Sequence, residues 1–189
     1  MPIMLRQAFR FPYVTVLFLI SLSNCSWFHS SQPQSESNVK FVQAGRIVQP
    51  SRLKTGGGIV IVPFTAGEGV EETDQLDKVS LMLVKGVYDT FQDASSHLKM
   101  LEADKIDDAD FIIQGHIVSI SKPSKVNKLM LSNGKKQLQV QGKMTDAKTG
   151  ETVVLFDDHQ ETSQKDEDCK HLGYVIGENI SHFILSGLE

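Results

Sequence analysis

The stretch that decides the fold lies at residues 58–64 and reads GIVIVPF. Its β-branched residues follow one another without a polar interruption, which is typical of a strand that is buried on both faces. Residues 74–92 then show the spacing of an amphipathic helix. The apolar stripe of this helix consists of Leu76, Val79, Leu83, Val87 and Phe91. Together the two patterns predict a domain that begins with a central strand and a covering helix.

More strands are expected after this helix. Residues 98–101 fit a short strand, and residues 109–120 alternate as a longer strand of a sheet. One face of the longer strand would carry Phe111, Ile113, Gly115 and Ile117. This alternation predicts a strand with one face towards the core.

A meander of hairpins follows in the sequence. Asn133-Gly134 suits the positive φ angles of a hairpin turn between strands at residues 126–131 and 135–146. A second turn is predicted at residues 146–150, before a strand that starts at residue 152 and ends between residues 156 and 162. Antiparallel pairing is therefore expected for this half of the sheet.

The last element is predicted as a second amphipathic helix. It is expected to begin near Ser163, with Asp166 as its capping partner. Its apolar stripe consists of Leu172, Ile176, Ile180, Phe183 and Ile184. The order β-α-β-meander-α predicts an α+β fold, in which two main helices pack on a mostly antiparallel sheet.

The amino terminus has the organisation of a secretion signal. Arg6 and Arg10 precede an apolar run over residues 11–22, which is shorter than the approximately 20 apolar residues of a membrane-spanning helix. Leu22-Ser23-Asn24-Cys25 resembles the lipobox of bacterial lipoproteins, although Asn24 replaces the usual Gly, Ala or Ser. The resemblance implies cleavage after residue 24 and a lipid, including palmitate, on Cys25. An ordinary cleaved signal or an uncleaved anchor remains the alternative.

Two further segments precede the domain. Residues 25–38 comprise the lipidated cysteine and a Ser- and Gln-rich stretch without apolar periodicity, which predicts a flexible tether with a reach of roughly 20 Å. Residues 39–57 are predicted as an extended arm, and residues 58–189 as a single domain. The arm carries four apolar residues that could contact the domain or a partner protein: Phe41, Val42, Ile47 and Val48.

Charge and composition exclude some classes of function. Loss of residues 1–24 removes two of the 19 basic side chains and none of the 23 acidic ones, so the mature chain is more acidic than the full chain, whose net charge is −4. An acidic domain without a basic stripe argues against nucleic-acid binding. No metal or cofactor is predicted, because the six His residues lack zinc-ligand spacing and Asp157-Asp158 fits a solvated strand end better than a calcium site.

Two features of the last helix have structural and functional interpretations. Cys169 is the only cysteine besides Cys25, and a small buried hydrophobic residue is the favoured interpretation over a reactive thiol. Gly173 and Gly177 lie four residues apart and form a shallow groove on one flank of the helix. This groove could pack on the sheet, or it could dock a helix of another subunit.

Three short sequences resemble those of a known class of envelope domains. Residues 59–64 (IVIVPF), 109–115 (ADFIIQG) and 146–151 (DAKTGE) are similar, in order and spacing, to the amino-terminal TolB-like and curli-secretion-type lipoprotein domains. The resemblance covers about residues 58–188. It implies a non-enzymatic domain that binds or assembles with other envelope proteins. The additional long hairpins of a curli-type pore subunit are missing, so pore formation is not expected.

Three hypotheses of function follow from these features. The first is a structural or accessory subunit of an envelope assembly, with an outer-membrane secretion complex as the natural setting and oligomerisation left open. The second is a lipoprotein regulator of a cell-wall enzyme, and the third is a small-molecule-binding or hydrolytic lipoprotein. Ser26 follows the lipidated cysteine. In enterobacterial-type sorting, this residue implies an outer-membrane location with the domain facing the periplasm.

Overall fold

The computed structural model describes residues 41–121, 135–164 and 167–189, all within one compact unit that spans Asn38–Glu189. The signal segment, Cys25, the tether, the strand predicted at 126–131 and the Asn133-Gly134 turn lie outside these residues. The described chain folds into a mixed sheet of seven strands with two long helices, which confirms the predicted α+β class. No helix in the described ranges is long and apolar enough to cross a membrane.

The sheet has an antiparallel half and a parallel half. Its strands run in the order β1-β7-β6-β5-β2-β4, and β3 pairs with β5 beside this path. The pairs β1–β7, β7–β6 and β6–β5 are antiparallel, whereas β2 lies parallel to both β4 and β5. The strands are β1 (Ala44–Ile47), β2 (Gly57–Ile61), β3 (Thr65–Ala66), β4 (Leu98–Met100), β5 (Phe111–Ile120), β6 (Lys136–Asp146) and β7 (Thr152–Thr162).

Strand β2 occupies the place that its sequence predicts. It lies between β4 and β5, and Ile59, Val60 and Ile61 are at most 6% exposed. Gly56, directly before the strand, and Gly57, its first residue, have positive φ angles of 71° and 139°, a backbone conformation that glycine adopts without steric cost. The continuous β-branched run is therefore explained by burial on both faces of a parallel region.

Helix α2 (Asp74–Asp93) also agrees with the prediction, and its last residue is one position beyond the expected end. The Oγ1 atom of Thr73 accepts a hydrogen bond from the backbone N–H of Leu76 at 3.3 Å, which satisfies one of the free donors of the first turn. The acidic residues Asp74 and Asp77 lie where the helix dipole favours negative charge. All five residues of the predicted apolar stripe are buried.

Helix α3 (Cys169–Ser186) begins later than predicted. Strand β7 continues to Thr162, which pairs with Lys136, so the chain near Ser163 leaves a strand and does not start a helix. The cap is Asp168, whose Oδ1 atom accepts hydrogen bonds from the backbone N–H groups of Lys170 and His171 at 2.9 and 3.0 Å. Asp166, the expected capping partner of Ser163, lies outside the described residues. The start predicted near Ser163 is therefore wrong, because pairing with β6 extends the strand.

The two long helices cover one face of the sheet. The buried stripes of α2 and α3 join one core cluster with the inward residues of β5, β6 and β7. Leu172, Ile176, Ile180 and Ile184 are at most 4% exposed, whereas Phe183 is only partly buried at the edge of this core. The opposite face, which we call the open face, carries mainly half-exposed polar side chains.

The segment predicted as an extended arm contributes two elements to the sheet and core. Ala44–Ile47 forms β1, which pairs with β7 at the edge of the sheet. Pro50–Lys54 forms the short helix α1, in which Leu53 is completely buried. Proline at the first helical position explains this turn, because its fixed φ angle already suits a helix. The prediction of an extended arm is therefore correct only for the strand β1, because the segment also contains the helix α1.

Candidate functional site

The apolar residues of the arm are mostly used inside the domain. Val42 is 5% exposed and belongs to the core, and Ile47 packs against the same cluster. The ring of Phe41 stacks on that of His182 in α3, with 5.3 Å between the ring centroids. Val48, by contrast, is 39% exposed. A partner protein would therefore meet Val48 and part of Phe41, and not a continuous strip of four apolar side chains.

A buried carboxylate connects the arm to the rest of the domain. Asp158 on β7 is 1% exposed and accepts hydrogen bonds from the backbone N–H of Gln43 at 3.2 Å and from Nδ2 of Asn179 at 2.9 Å. The Nε2 atom of Gln160 lies 3.3 Å from each of its oxygens. These donors offset the cost of burying the group. The expectation that Asp157-Asp158 marks a solvated strand end is wrong for Asp158, because β7 and α3 enclose it.

The two glycines of α3 face helix α2 of the same chain. A Cβ atom on Gly173 would lie 2.8 Å from the backbone oxygen of Val79, and one on Gly177 would lie 2.3 Å from that of Leu83. Gly86 of α2 makes the reciprocal approach, with 2.2 Å to the backbone oxygen of Tyr174. These glycines therefore allow two helices of one domain to pack closely. The hypothesis of a docking groove for another subunit is wrong, because α2 already fills it.

The three short sequences behind the family resemblance meet at one end of the sheet. The backbone N–H of Gly58 donates to Oδ2 of Asp110 at 3.0 Å, and Nζ of Lys148 lies 3.1 Å from Oδ1 of the same carboxylate. Asp146 accepts from the backbone N–H groups of Lys148 and Thr149 at 2.8 and 2.9 Å. Each carboxylate therefore has a structural role, which is to fix a strand end or a turn.

Helix α1 joins this charged end of the sheet. The Nε atom of Arg52 lies 2.5 Å from Oδ2 of Asp146, and the guanidinium group sits 4.3 Å above the centroid of the Phe111 ring. The hydrogen bond from Arg52, followed by those from the turn, lowers the pKa of Asp146 from 3.8 to about 2. The hydrogen bond from the Gly58 backbone, followed by that from Lys148, also lowers the pKa of Asp110.

These pKa shifts predict how stability depends on pH. A carboxylate whose pKa is lower in the folded state stabilises that state above its unfolded pKa, and the contribution is lost as the pH falls through the folded pKa. We expect the free energy of unfolding to fall between about pH 4 and pH 2, and Asp146→Asn to flatten the curve in this range. Urea unfolding at half-unit pH steps measures this dependence.

The control for this measurement is Asp104→Asn, on the exposed short 3-10 helix Ala103–Asp108. Its curve should follow that of the wild type. An Asp146→Asn protein that loses stability as steeply as the wild type below pH 4 would show that the ion pair with Arg52 does not form in solution.

Cys169 has the environment of a structural residue. Its side chain is buried at the start of α3, and its Sγ atom lies 4.0 Å from the backbone oxygen of Ser121. Burial raises the pKa of the thiol, which disfavours the reactive thiolate. His171 points away and lies 3.6 Å from Glu167. The prediction of a small buried side chain is confirmed by these contacts.

The open face carries ordered rows of polar side chains across the strands. One row aligns His116, Gln141, Asp157 and Ala44 on β5, β6, β7 and β1. Asp157 accepts hydrogen bonds from Nε2 of Gln141 in the same row at 2.7 Å and from Nε2 of Gln139, two residues earlier on β6, at 3.1 Å. The two amides therefore hold one half-exposed carboxylate in place. The hydrogen-bonding capacity of this part of the open face is used within the domain.

The neighbouring row has a different character. It aligns Gln114, Lys143, Leu155 and Arg46 across the same four strands. We call these four residues the cationic row. Leu155 is half-buried between the two cations, and Arg46 is exposed at the edge strand. The combination of two positive charges and a central apolar side chain suits contact with an acidic protein surface.

A second surface feature lies on the helix side of the domain. A groove of about 280 Å³ separates the carboxyl-terminal half of α2 from α3. We call it the helix groove, and it is lined by Asp89, Thr90, Asp93, Ala94, Tyr174, Glu178, His182 and Leu185. Asp89 is paired with Lys85 and accepts a hydrogen bond from Tyr174 Oη at 3.1 Å. This bond raises the pKa of Tyr174.

Sequence reasoning missed both surfaces. The alternation of Gln137, Gln139, Gln141 and Lys143 indicates a polar face of β6, but it does not show which residues of other strands lie beside them. The helix groove depends on the crossing of two helices that are far apart in the sequence. Among the described residues, no three His, Cys, Asp or Glu side chains are grouped so that they could hold a metal ion.

The chain is similar to several solved structures of bacterial proteins. No protein-family model and no curated protein matches the chain. The chain is similar to the PelC dodecamer from Paraburkholderia phytofirmans, with 12% identity, a TM-score of 0.48, and coverage of 77% of this chain and 92% of that chain. It is also similar to lipoprotein GNA1162 from Neisseria meningitidis, with 13% identity, a TM-score of 0.30, and coverage of 67% and 95%.

Proposed function

We propose that this chain is a lipid-anchored protein of the bacterial envelope that acts as a non-enzymatic subunit of an envelope assembly. The observation that carries the proposal is the sequence Leu22-Ser23-Asn24-Cys25, placed directly after an apolar signal run and before a Ser- and Gln-rich tether. A lipid on Cys25 would hold the domain at a membrane, and the tether would allow it to reach partners at some distance.

The described domain supports a role in binding. Asp110 and Asp146, two carboxylates whose pKa values are lowered, are committed to holding strand ends and a turn, and Cys169 is a buried thiol. The open face and the helix groove are both accessible, and both carry charges suited to protein contacts. An outer-membrane secretion complex is the setting that we propose, with the domain in the periplasm.

Anchoring is tested by replacing the lipidated cysteine. We expect Cys25→Ser to abolish labelling by a fatty-acid probe and to release the protein from the membrane fraction, because the serine cannot form the thioether to lipid. The matched control is Cys169→Ser, which keeps the signal sequence and should keep the label. A Cys25→Ser protein that stays membrane-bound and labelled at the wild-type level would contradict the lipoprotein assignment.

The role in an assembly is tested by purification from membranes. The lipidated chain, cross-linked in cells and extracted in detergent, should co-purify with a large particle of several envelope proteins. Co-purification with one cell-wall synthase or hydrolase would instead support the regulator hypothesis. Recovery without any envelope partner would contradict both.

A further inference from the structure

The two cations of the cationic row have no ion-pair partner within the described part of the chain. Neither Lys143 nor Arg46 makes an ion pair or a side-chain hydrogen bond there. Strand β7 lies between their strands, so their backbones are about 10 Å apart at the usual strand spacing. Leu155 lies between them in the same row. The row therefore presents two free positive charges on either side of an apolar contact.

The helix groove has the opposite charge pattern. Asp93 of α2 and Glu178 of α3 line it, and neither carboxylate has a cationic partner among the described residues. They lie on two helices that pack against each other along their length. Leu185 supplies apolar surface in the same groove. The two surfaces are therefore opposite in charge, and each combines its charges with an apolar side chain.

The two surfaces lie on opposite layers of one domain, because the helices cover one face of the sheet and the cationic row lies on the other. We propose that copies of this chain associate head to tail, with the cationic row of one copy docked on the helix groove of the next. Such a heterologous contact builds a ring or a filament. The inference rests on the proposed function only in that the chain works within an assembly.

Charge reversal on each surface tests the contact directly. Variant one carries Arg46→Glu and Lys143→Glu, and variant two carries Asp93→Lys and Glu178→Lys. Each full-length variant, lipidated and purified in detergent, should sediment as a monomer under conditions in which the wild type forms larger species. Its self-association should be at least tenfold weaker, because every contact now joins like charges. An equimolar mixture of the two variants should recover the large species, since both types of junction become complementary.

Two controls separate this contact from general charge effects. Lys99→Glu combined with Lys105→Glu reverses two exposed lysines away from both surfaces and should leave the wild-type sedimentation unchanged. Salt at roughly 1 M, where the Debye length is about 3 Å, should dissociate the wild-type species. Circular dichroism of each variant confirms folding.

The proposal is overturned by a wild-type chain that is monomeric at all concentrations. It is also overturned by variants that assemble like the wild type, or by a folded mixture that stays monomeric. Continued co-purification of monomeric variants with other envelope proteins would leave the proposed function standing and would overturn only the association of copies. A wild-type chain that self-associates but does not co-purify with other envelope proteins would overturn the proposed function and leave the association of copies standing.

Discussion

Gly177→Leu is expected to unfold the domain. A Cβ atom at this position would lie 2.3 Å from the backbone oxygen of Leu83 and 2.8 Å from the backbone nitrogen of Val87. Backbone atoms of a packed helix cannot rotate away as a side chain does, so α2 and α3 would have to separate. We expect a loss of more than about 3 kcal/mol for leucine and of about 2 kcal/mol for alanine, the upper part of the range for overpacked cores.

The sign of the alanine effect makes this prediction specific. In an exposed part of a helix, replacing glycine by alanine stabilises by about 1 kcal/mol, because alanine has the better helix propensity. Urea unfolding of Gly177→Ala and Gly177→Leu, with His171→Leu as the control on the exposed side of α3, measures the difference. A folded Gly177→Leu domain with an unchanged unfolding midpoint would show that the two helices are farther apart in solution.

Deletion of residues 41–48 is expected to destabilise the domain almost as severely. The deletion removes strand β1, the buried side chain of Val42 and the core contact of Ile47. Burial of each such side chain stabilises by roughly 1.5 to 3 kcal/mol, so we expect a loss of at least about 3 kcal/mol. The deletion also takes away the backbone donor of Gln43, which leaves the buried carboxylate of Asp158 with fewer hydrogen bonds.

Thermal unfolding measures this second effect. A loss of this size lowers the midpoint by about 10 °C in a domain of this length. The matched control deletes eight residues of the predicted tether, at residues 26–33, and should leave the midpoint within about 2 °C. If the arm deletion behaved like the tether deletion, β1 would be an accessory strand that docks on an independently stable domain.

The helices and turns that the sequence predicts correctly are those with a clear pattern of neighbouring residues. The stripe of α2 repeats every three to four residues, and the turn at 146–150 places a glycine where the φ angle is +73°. Such patterns involve residues that are close along the chain, so they can be recognised without the tertiary structure. The sequence predicts the start of α3 near Ser163 because Ser163 and Asp166 have the spacing of a capping box, but the pairing of Thr162 with Lys136 keeps the chain in a strand up to this point.

The candidate surfaces could not be predicted in the same way. The cationic row brings together residues 46, 114, 143 and 155, whose alignment follows from the register of three strand pairs. A shift of one residue in any pair would move one member to the opposite face, and the sequence does not state the register. The role of Gly173 and Gly177 could not be predicted for the same reason. The helix that packs against them, α2, lies about 90 residues earlier in the chain.

The order of residues alone was sufficient for the α+β class, the buried strand at 59–61, the extent of α2 and the expectation of a lipid on Cys25. Each of these follows from periodicity, propensity or a short contiguous motif. Folding in three dimensions was needed to show that the arm forms an edge strand, that Asp158 is enclosed, and that free cations and free carboxylates lie on opposite layers. These features depend on which distant segments become neighbours, and the total packing energy of the chain selects that arrangement.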